Sequence, residues 1–253
     1  MTQVKFDQHF MKDNFYLDLI TESANVKSED IIFEIGPGHG DLTKKLLELN
    51  PQKVISCELD TKLLPHLERL AKKNKKNFEF VMGNGLVEFD NFNFTKLVAN
   101  IPYSITEPLY KKLLDSDVEF ALMLHGIDFY KNMTDRQTRW NYFVNAFYDI
   151  ELIDEVAGEE FTPPTKVVSG IVRLFRKQIE DLTGEDKFYQ SVWSKKDRNT
   201  KNCLIFSLVD SFGLTKKEAK VKVSSLELGE SVLSERFENI SNESVNKIFQ
   251  EIF

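Results

Sequence analysis

Short apolar runs alternate with helically spaced apolar positions through the first two-thirds of the chain. IIFEIG (31–36), VISCEL (54–59), FEFVMG (78–83), KLVAN (96–100) and VEFALML (118–124) are short, rich in β-branched and aromatic residues, and read as buried strands. Between them, 41–50, 61–73 and 107–115 carry apolar residues at helical spacing, the second with an early Pro65. Strand–helix alternation with such short connections predicts a parallel sheet with helices on both faces.

The rhythm changes after residue 148. Segments 149–158 and 169–177 read as two further strands around the Pro-rich turn FTPPT, an antiparallel hairpin at the end of the sheet. Beyond 177 the strand signal nearly vanishes, and 186–192, 200–212, 216–223 and 243–253 read as helices. The polar stretch QIEDLTGED marks the boundary. The expected division is a larger domain over 1–178 and a small helical domain over 179–253.

Composition narrows the class. With 253 residues there is room for one sizeable domain and one small one. No apolar run approaches the ~20 residues of a membrane helix, and MTQVKFDQHF has no apolar signal-peptide core. Two cysteines, Cys57 and Cys203, make no disulfide framework, so a cytoplasmic protein without a membrane partner is expected. His9, His39, His66 and His125 show no paired ligand spacing, and no metal site is expected.

The net charge of −7 speaks against a nucleic-acid partner, but its distribution does not. Nine Lys/Arg fall between Lys187 and Lys222, against three acids, Asp197, Asp210 and Glu218. A local patch of this sign binds phosphates even on an acidic protein. It also fits a solvated helical surface.

EIGPGHGDLT, Glu34 to Thr43, lies at the turn from the first strand into the first helix. Gly36, Gly38 and Gly40 allow a tight turn and a close approach of backbone to a ligand. Their G-x-G-x-G spacing is not the dinucleotide pattern. Glu58 ends the next strand, with Leu59 beside it, and a carboxylate there accepts both hydroxyls of a ribose. Gly83 and Asn84 end the third strand, where a polar side chain reaches an adenine ring. The glycine loop contains no basic residue and no Walker lysine. That favours a ribose-bearing ligand without a charged phosphate chain, and S-adenosylmethionine fits.

Taken together, FDQHFMKD, EIGPGHG, CELD, GNGL, NIPY, FTPPTKVVSGIVRL, the basic KKDRNTKNCL and the closing LSERFENISNESVNKIF resemble, in order and distance, the KsgA-like rRNA adenine dimethyltransferases, to which the Erm methylases are related. The resemblance spans nearly the whole chain. It implies a class I methyltransferase domain, Rossmann-like with a seven-stranded mostly parallel sheet, and a small all-α domain behind it that docks on RNA. It implies transfer of two methyls from S-adenosylmethionine to each of two adjacent adenines of small-subunit rRNA, by a monomer acting on a pre-ribosomal particle. Carried over, Gln8, His9 and Phe10 would close over the methionine part of the cofactor, and Gly36 and Gly38 would contact it through backbone. Glu58 would hold the ribose, Asn84 the adenine, and Asn100 the methionine end and the substrate amine.

For the reaction so implied, NIPYSI supplies what an adenine amine needs. Its lone pair is delocalised into the ring, so two acceptors aimed at its N–H groups favour a more tetrahedral nitrogen. The Asn100 side-chain oxygen and the Ile101 carbonyl would be that pair, Pro102 would fix the turn, and Tyr103 would offer a stacking face to an extruded base. Phe161 would cover the other face. Asn100 also fits a simple turn cap, and Tyr103 and Phe161 fit ordinary packing. Lys166, Lys195, Lys196, Arg198 and Lys201 are the candidate RNA contacts, Lys166 equally a solvated side chain.

The chain departs from the family pattern at Asp7 for the usual Gly, at Asn84 for the usual Asp, in its acidic charge, and over 124–143, where the Q-K-E-V-A-x-R run is absent. Two other readings follow from these departures and relationships: a non-catalytic nucleic-acid-binding assembly or transcription factor, and a 23S rRNA methylase of the resistance type.

Overall fold

The computed structural model describes residues 8–11, 13–134 and 138–253. The Asp7 departure lies outside the described residues. Among the described residues, nine strands run β1 (Phe10–Met11), β2 (Ile31–Ile35), β3 (Lys53–Glu58), β4 (Phe78–Met82), β5 (Lys96–Asn100), β6 (Phe120–Gly126), β7 (Tyr148–Val156), β8 (Phe161–Thr162) and β9 (Ser169–Arg176). The α-helices of the first half are α1 (Asn14–Ser23), α2 (Asp41–Glu48), α3 (Leu64–Lys73), α4 (Gly85–Glu88), α5 (Thr106–Leu114) and α6 (Ile127–Thr134). Those of the second are α7 (Arg139–Phe147), α8 (Gly184–Ser194), α9 (Thr200–Phe212), α10 (Lys216–Ser225), α11 (Glu230–Ser234) and α12 (Asn242–Ile252).

Seven strands form one sheet in the order β4-β3-β2-β5-β6-β9-β7. β2, β3, β4, β5 and β6 pair in parallel, and β9 runs antiparallel to β6. This is the class I methyltransferase arrangement that was expected. Order reverses between β2 and β5, so the carboxyl ends of these neighbours open a crevice, the usual ligand site of such sheets. β1 and β8 make a separate two-stranded pairing, Phe10 opposite Thr162 and Met11 opposite Phe161.

Central strands are buried on both sides, which explains their uninterrupted apolar runs: Ile32, Phe33, Val54, Leu97, Val98, Leu122 and Met123 are solvent-free. Helix α1 was not expected. Asp13 caps it by accepting the Phe15 N–H at 2.7 Å, and Leu17, Ile20 and Thr21 form its buried face.

The chain divides into two units, 1–130 with 150–176, and 131–149 with 177–253. The expected boundary near 178 is therefore incomplete, because 131–149 belongs with the helical unit. Aromatic packing is the reason. From α7, Phe143 meets Trp193 at 5.1 Å between ring centroids and Tyr142 meets Phe249 at 4.8 Å. The Arg139 guanidinium donates to the carbonyls of Glu238 and Ile240 and to Asn242 Oδ1. The stretch that departs from the family pattern is thus in part a structural member of the helical unit.

At the amino ends of the strands, Lys96 Nζ pairs with Asp30 Oδ2 at 3.0 Å and donates to the carbonyls of Ala24 and Asn25, with both charged side chains about one-tenth exposed. Burial alone would raise the Asp30 carboxyl. The Lys27 backbone N–H, Lys96 and Thr95 together bring it below its usual value. Removing one member leaves a buried charge without compensation. Lys96→Met is expected to cost about 3–5 kcal/mol in urea unfolding. Lys53→Met, which breaks an exposed pair with Glu79 at 2.6 Å, is expected to cost under about 1 kcal/mol. Equal costs would contradict this assignment.

Candidate active site

The carboxyl ends of β2, β3, β4 and β5 surround a cavity of about 390 Å³, within the usual range of small-molecule sites (about 300–1,000 Å³). Gln8, His9 and Phe10 close one side; Gly36, Gly38, Glu58, Leu59 and Asn84 line it; Asn100, Ile101, Pro102, Tyr103 and Phe161 complete it. Most of the candidates chosen from sequence are thus brought together.

The glycine loop makes close approach possible. Gly38 has φ +60°, and a Cβ there would come within 2.7 Å of the Phe10 ring, so the N-terminal segment lies directly on the loop. Gly40 and Gly83 do not line the cavity. A Cβ on Gly40 would come within 2.4 Å of Leu70, so that glycine serves the packing of α2 against α3. Gly83 donates its N–H to the Glu58 carbonyl at 2.8 Å and accepts from the Cys57 thiol at 3.3 Å, a joint between strand ends.

Glu58 is 4% exposed. One carboxylate oxygen accepts the Gly38 N–H at 3.1 Å and the other the Asp60 N–H at 2.8 Å. Burial raises its carboxyl above the ordinary value, and these two N–H groups partly offset that. Each oxygen keeps acceptor capacity, as recognition of two adjacent hydroxyls requires. Asn84 caps α4, its Oδ1 accepting the Leu86 N–H at 3.0 Å. The cap fixes the amide's orientation and leaves its NH₂ as donor, where a carboxylate would only accept. Leu59, about half exposed, supplies an apolar wall.

At the strand exit, Asn100 Nδ2 donates to the His9 carbonyl at 3.3 Å. A carbonyl can only accept, so Nδ2 must face His9 and Oδ1 is the acceptor that Asn100 retains. Ile101 donates its N–H to Leu124 of β6 at 3.1 Å, which anchors the backbone carrying the second carbonyl. Tyr103 is held by its hydroxyl, 2.9 Å from that of buried Ser169, and the His9 imidazole stands 5.9 Å from its ring at an inclination of 30°. Phe161 is only 2% exposed and belongs to the core cluster with Met11, Leu17 and Val156. It walls the cavity rather than presenting a free face to a base, which corrects the expected sandwich.

Ile35, Cys57, Gly85, Ser104 and Ile105 also line the cavity and were not singled out. Burial pushes the Cys57 thiol up to about 12, so it is an inert wall. Gly85 had a legible signal in GNGL: a Cβ there would come within 2.5 Å of Ile35. No lysine or arginine lines the cavity among the described residues. His39 and His66 meet edge-on at 4.8 Å, which their spacing did not reveal, and no group of three or more metal-ligating side chains occurs among the described residues.

Of the candidate RNA contacts, Lys166, Arg198 and Lys201 are exposed. Lys195 is engaged by Asp210 at 2.8 Å and by the Ser191 hydroxyl at 2.9 Å, and Lys196 lies 4.4 Å over the Trp193 ring. These two lysines are committed to their own unit.

Behind the loop, Glu34 is 1% exposed and accepts the hydroxyls of Thr43 and Ser56, each at 2.7 Å. Burial raises its carboxyl from 4.5 to about 7, the two hydroxyls opposing. Between these values the folded chain keeps a proton that the unfolded chain releases, so stability falls as pH rises through this window and is level above it. Glu34→Gln removes that dependence. Relative to the wild type, the variant is expected to gain on the order of 3 kcal/mol between pH 4.5 and pH 8 in urea titrations. A difference independent of pH would contradict the buried carboxyl.

The profile of the family described as "Ribosomal RNA adenine dimethylase" matches residues 2–248. The "Probable ribosomal RNA small subunit methyltransferase A" of Methanopyrus kandleri is 33% identical over 243 residues, covering 92% of this chain and 85% of that protein. The protein of the same description from Methanococcoides burtonii is 30% identical over 252 residues, covering 98% and 92%. Among solved structures, a dimethyladenosine transferase from Plasmodium falciparum superposes with a TM-score of 0.67 at 25% identity, covering 96% of this chain and 97% of the other. The 23S rRNA methyltransferase ErmE shares the fold, with a TM-score of 0.60 at 23% identity over 96% and 98% of the two chains. With its sheet order, its cavity and a match along nearly its whole length, the chain belongs to the ribosomal RNA adenine dimethylase family.

Proposed function

We propose that this protein binds S-adenosylmethionine in the cavity at the strand ends and methylates the exocyclic amine of adenines in small-subunit rRNA, placing two methyls on each of two adjacent adenines. The reading that it works as a cytoplasmic monomer on a pre-ribosomal particle goes with this proposal. The names of the relatives favour small-subunit RNA over 23S RNA.

The residues present fit the cofactor. The Glu58 carboxylate, already supported by two backbone N–H groups, suits a ribose diol. The Asn84 amide would donate to a ring nitrogen of the adenine, and Leu59 and Ile35 would cover its faces. A wall without lysine or arginine among the described residues suits a ligand lacking phosphates. Gln8, His9 and Phe10 would enclose the amino-acid arm, with the backbone of Gly36 and Gly38 beneath it. The cofactor supplies an activated methyl on a sulfonium.

The observation that carries the proposal is the orientation of Asn100. Its Oδ1 and the Ile101 carbonyl accept the two N–H groups of the target amine, which draws the nitrogen toward a tetrahedral, more nucleophilic form. Pro102 fixes φ between these acceptors and the Tyr103 ring. Tyr103, held at its hydroxyl, presents its ring to the base. The chain contributes placement more than proton transfer, since no Asp, Glu or His occurs in Asn100–Ile105. Lys166, Arg198 and Lys201 would meet phosphates.

Asn100→Ala is expected to lower transfer of labelled methyl groups to undermethylated small subunits by about a hundredfold or more, while calorimetry shows S-adenosylhomocysteine still bound within roughly tenfold of wild type. A variant as active as the wild type would overturn the assignment.

A further inference from the structure

A buried polar pair stands next to the strand exit. Tyr110, in α5, is 1% exposed, and His125, in β6, is fully buried. The Tyr110 hydroxyl lies 2.9 Å from His125 Nε2, and His125 Nδ1 lies 3.0 Å from the Gly126 carbonyl. Because a carbonyl only accepts, Nδ1 carries the proton, Nε2 is the acceptor, and Tyr110 donates. Burial lowers His125 to about 4 and raises Tyr110, so both groups stay neutral near pH 7 and the pair keeps one arrangement.

Such a pair gives little net stability in an apolar interior, where similarly shaped apolar residues serve equally well. Its place points to a use. Helix α5 starts three residues after Tyr103, so Tyr110 is on the element that continues the NIPY turn. His125 follows Leu124, whose carbonyl holds the Ile101 N–H. Gly126 is paired across the sheet with Ser169, the residue that holds the Tyr103 hydroxyl. A Cβ on Gly126 would lie 3.7 Å from Tyr103 Cδ1, so the tyrosine ring faces this glycine across about the space of one methyl group.

We propose that Tyr110 and His125 are positioning residues for methyl transfer: their hydrogen bond ties the helix leaving the NIPY turn to the strand end that carries the Ile101 anchor and pairs with Ser169, the residue that holds the Tyr103 hydroxyl. Neither side chain lines the cavity, so neither touches cofactor or base. The pair fixes the angle between the Ile101 carbonyl and the Tyr103 ring, and a small error there is costly because catalysis depends on placement. This inference rests on the methyltransferase reading above.

The test compares full-length wild type, Tyr110→Phe, and the double variant Tyr110→Phe with His125→Leu. Thermal unfolding, S-adenosylhomocysteine affinity by calorimetry, and kcat and KM on undermethylated small subunits are measured for each. The double variant removes donor and acceptor side chains together, so its melting temperature is expected to stay close to that of wild type. Its cofactor affinity is expected to hold within about twofold while kcat falls about ten- to a hundredfold, KM changing less. Tyr110→Phe is expected to lower kcat in the same direction and decides the matter should the double variant not fold. A folded variant whose kcat stays within about twofold of wild type overturns the inference, whatever its melting temperature. Absence of methyl transfer by the wild type would instead overturn the functional reading, which keeps the two failures distinct.

Discussion

One hydrogen bond sets the chemical character of the site. The His9 carbonyl takes the amide hydrogen of Asn100, and because a carbonyl has nothing to donate, it decides which end of that amide is left for a substrate. With the nitrogen engaged, Asn100 retains an acceptor. The proposed chemistry depends on this: an amine is drawn toward a nucleophilic shape by acceptors, and a donor in the same place would oppose it. The residue that closes over the cavity is therefore also the one that orients the group at its mouth.

The sheet supplies the remaining constraints. Parallel strands end together on one edge, and the reversal of order between β2 and β5 opens that edge. Glu58, Asn84 and Asn100 each end or follow a different strand, so three polar side chains converge without long loops. The chain spends backbone N–H groups to keep them in place: the Glu58 carboxylate is held by the loop it faces, and Asn84 is held by the helix it caps.

Much of this was legible in the sequence because the signals are local. Buried parallel strands show as apolar runs, and Gly36, Gly38, Glu58 and Asn100 stand at their ends. What was not legible depended on contacts distant in sequence. Gly40 looked like a ligand glycine, but the Leu70 side chain occupies the space a Cβ would need. Phe161 looked free to stack, but its pairing with Met11 draws it into the core. The stretch 124–143 lacked the family pattern, and the contacts of Tyr142 and Phe143 with the rings of Phe249 and Trp193 explain why its later part joins the helical unit. Lys195 belongs to the basic stretch in sequence, but in space Asp210 pairs with it. Helix α1 carries a local signal too, with Asp13 as cap and Leu17, Ile20 and Thr21 on one face, ahead of the strand at Ile31.

The central claim is that the acceptors at this strand exit act on an adenine amine of small-subunit RNA. Mass-spectrometric mapping of the nucleotides methylated when the purified protein meets undermethylated small subunits tests it most directly. N6-dimethyladenosine at adjacent adenines of the small-subunit RNA is the expected product. Methylation at another base or another ring position, or at 23S RNA offered in the same reaction, would contradict it.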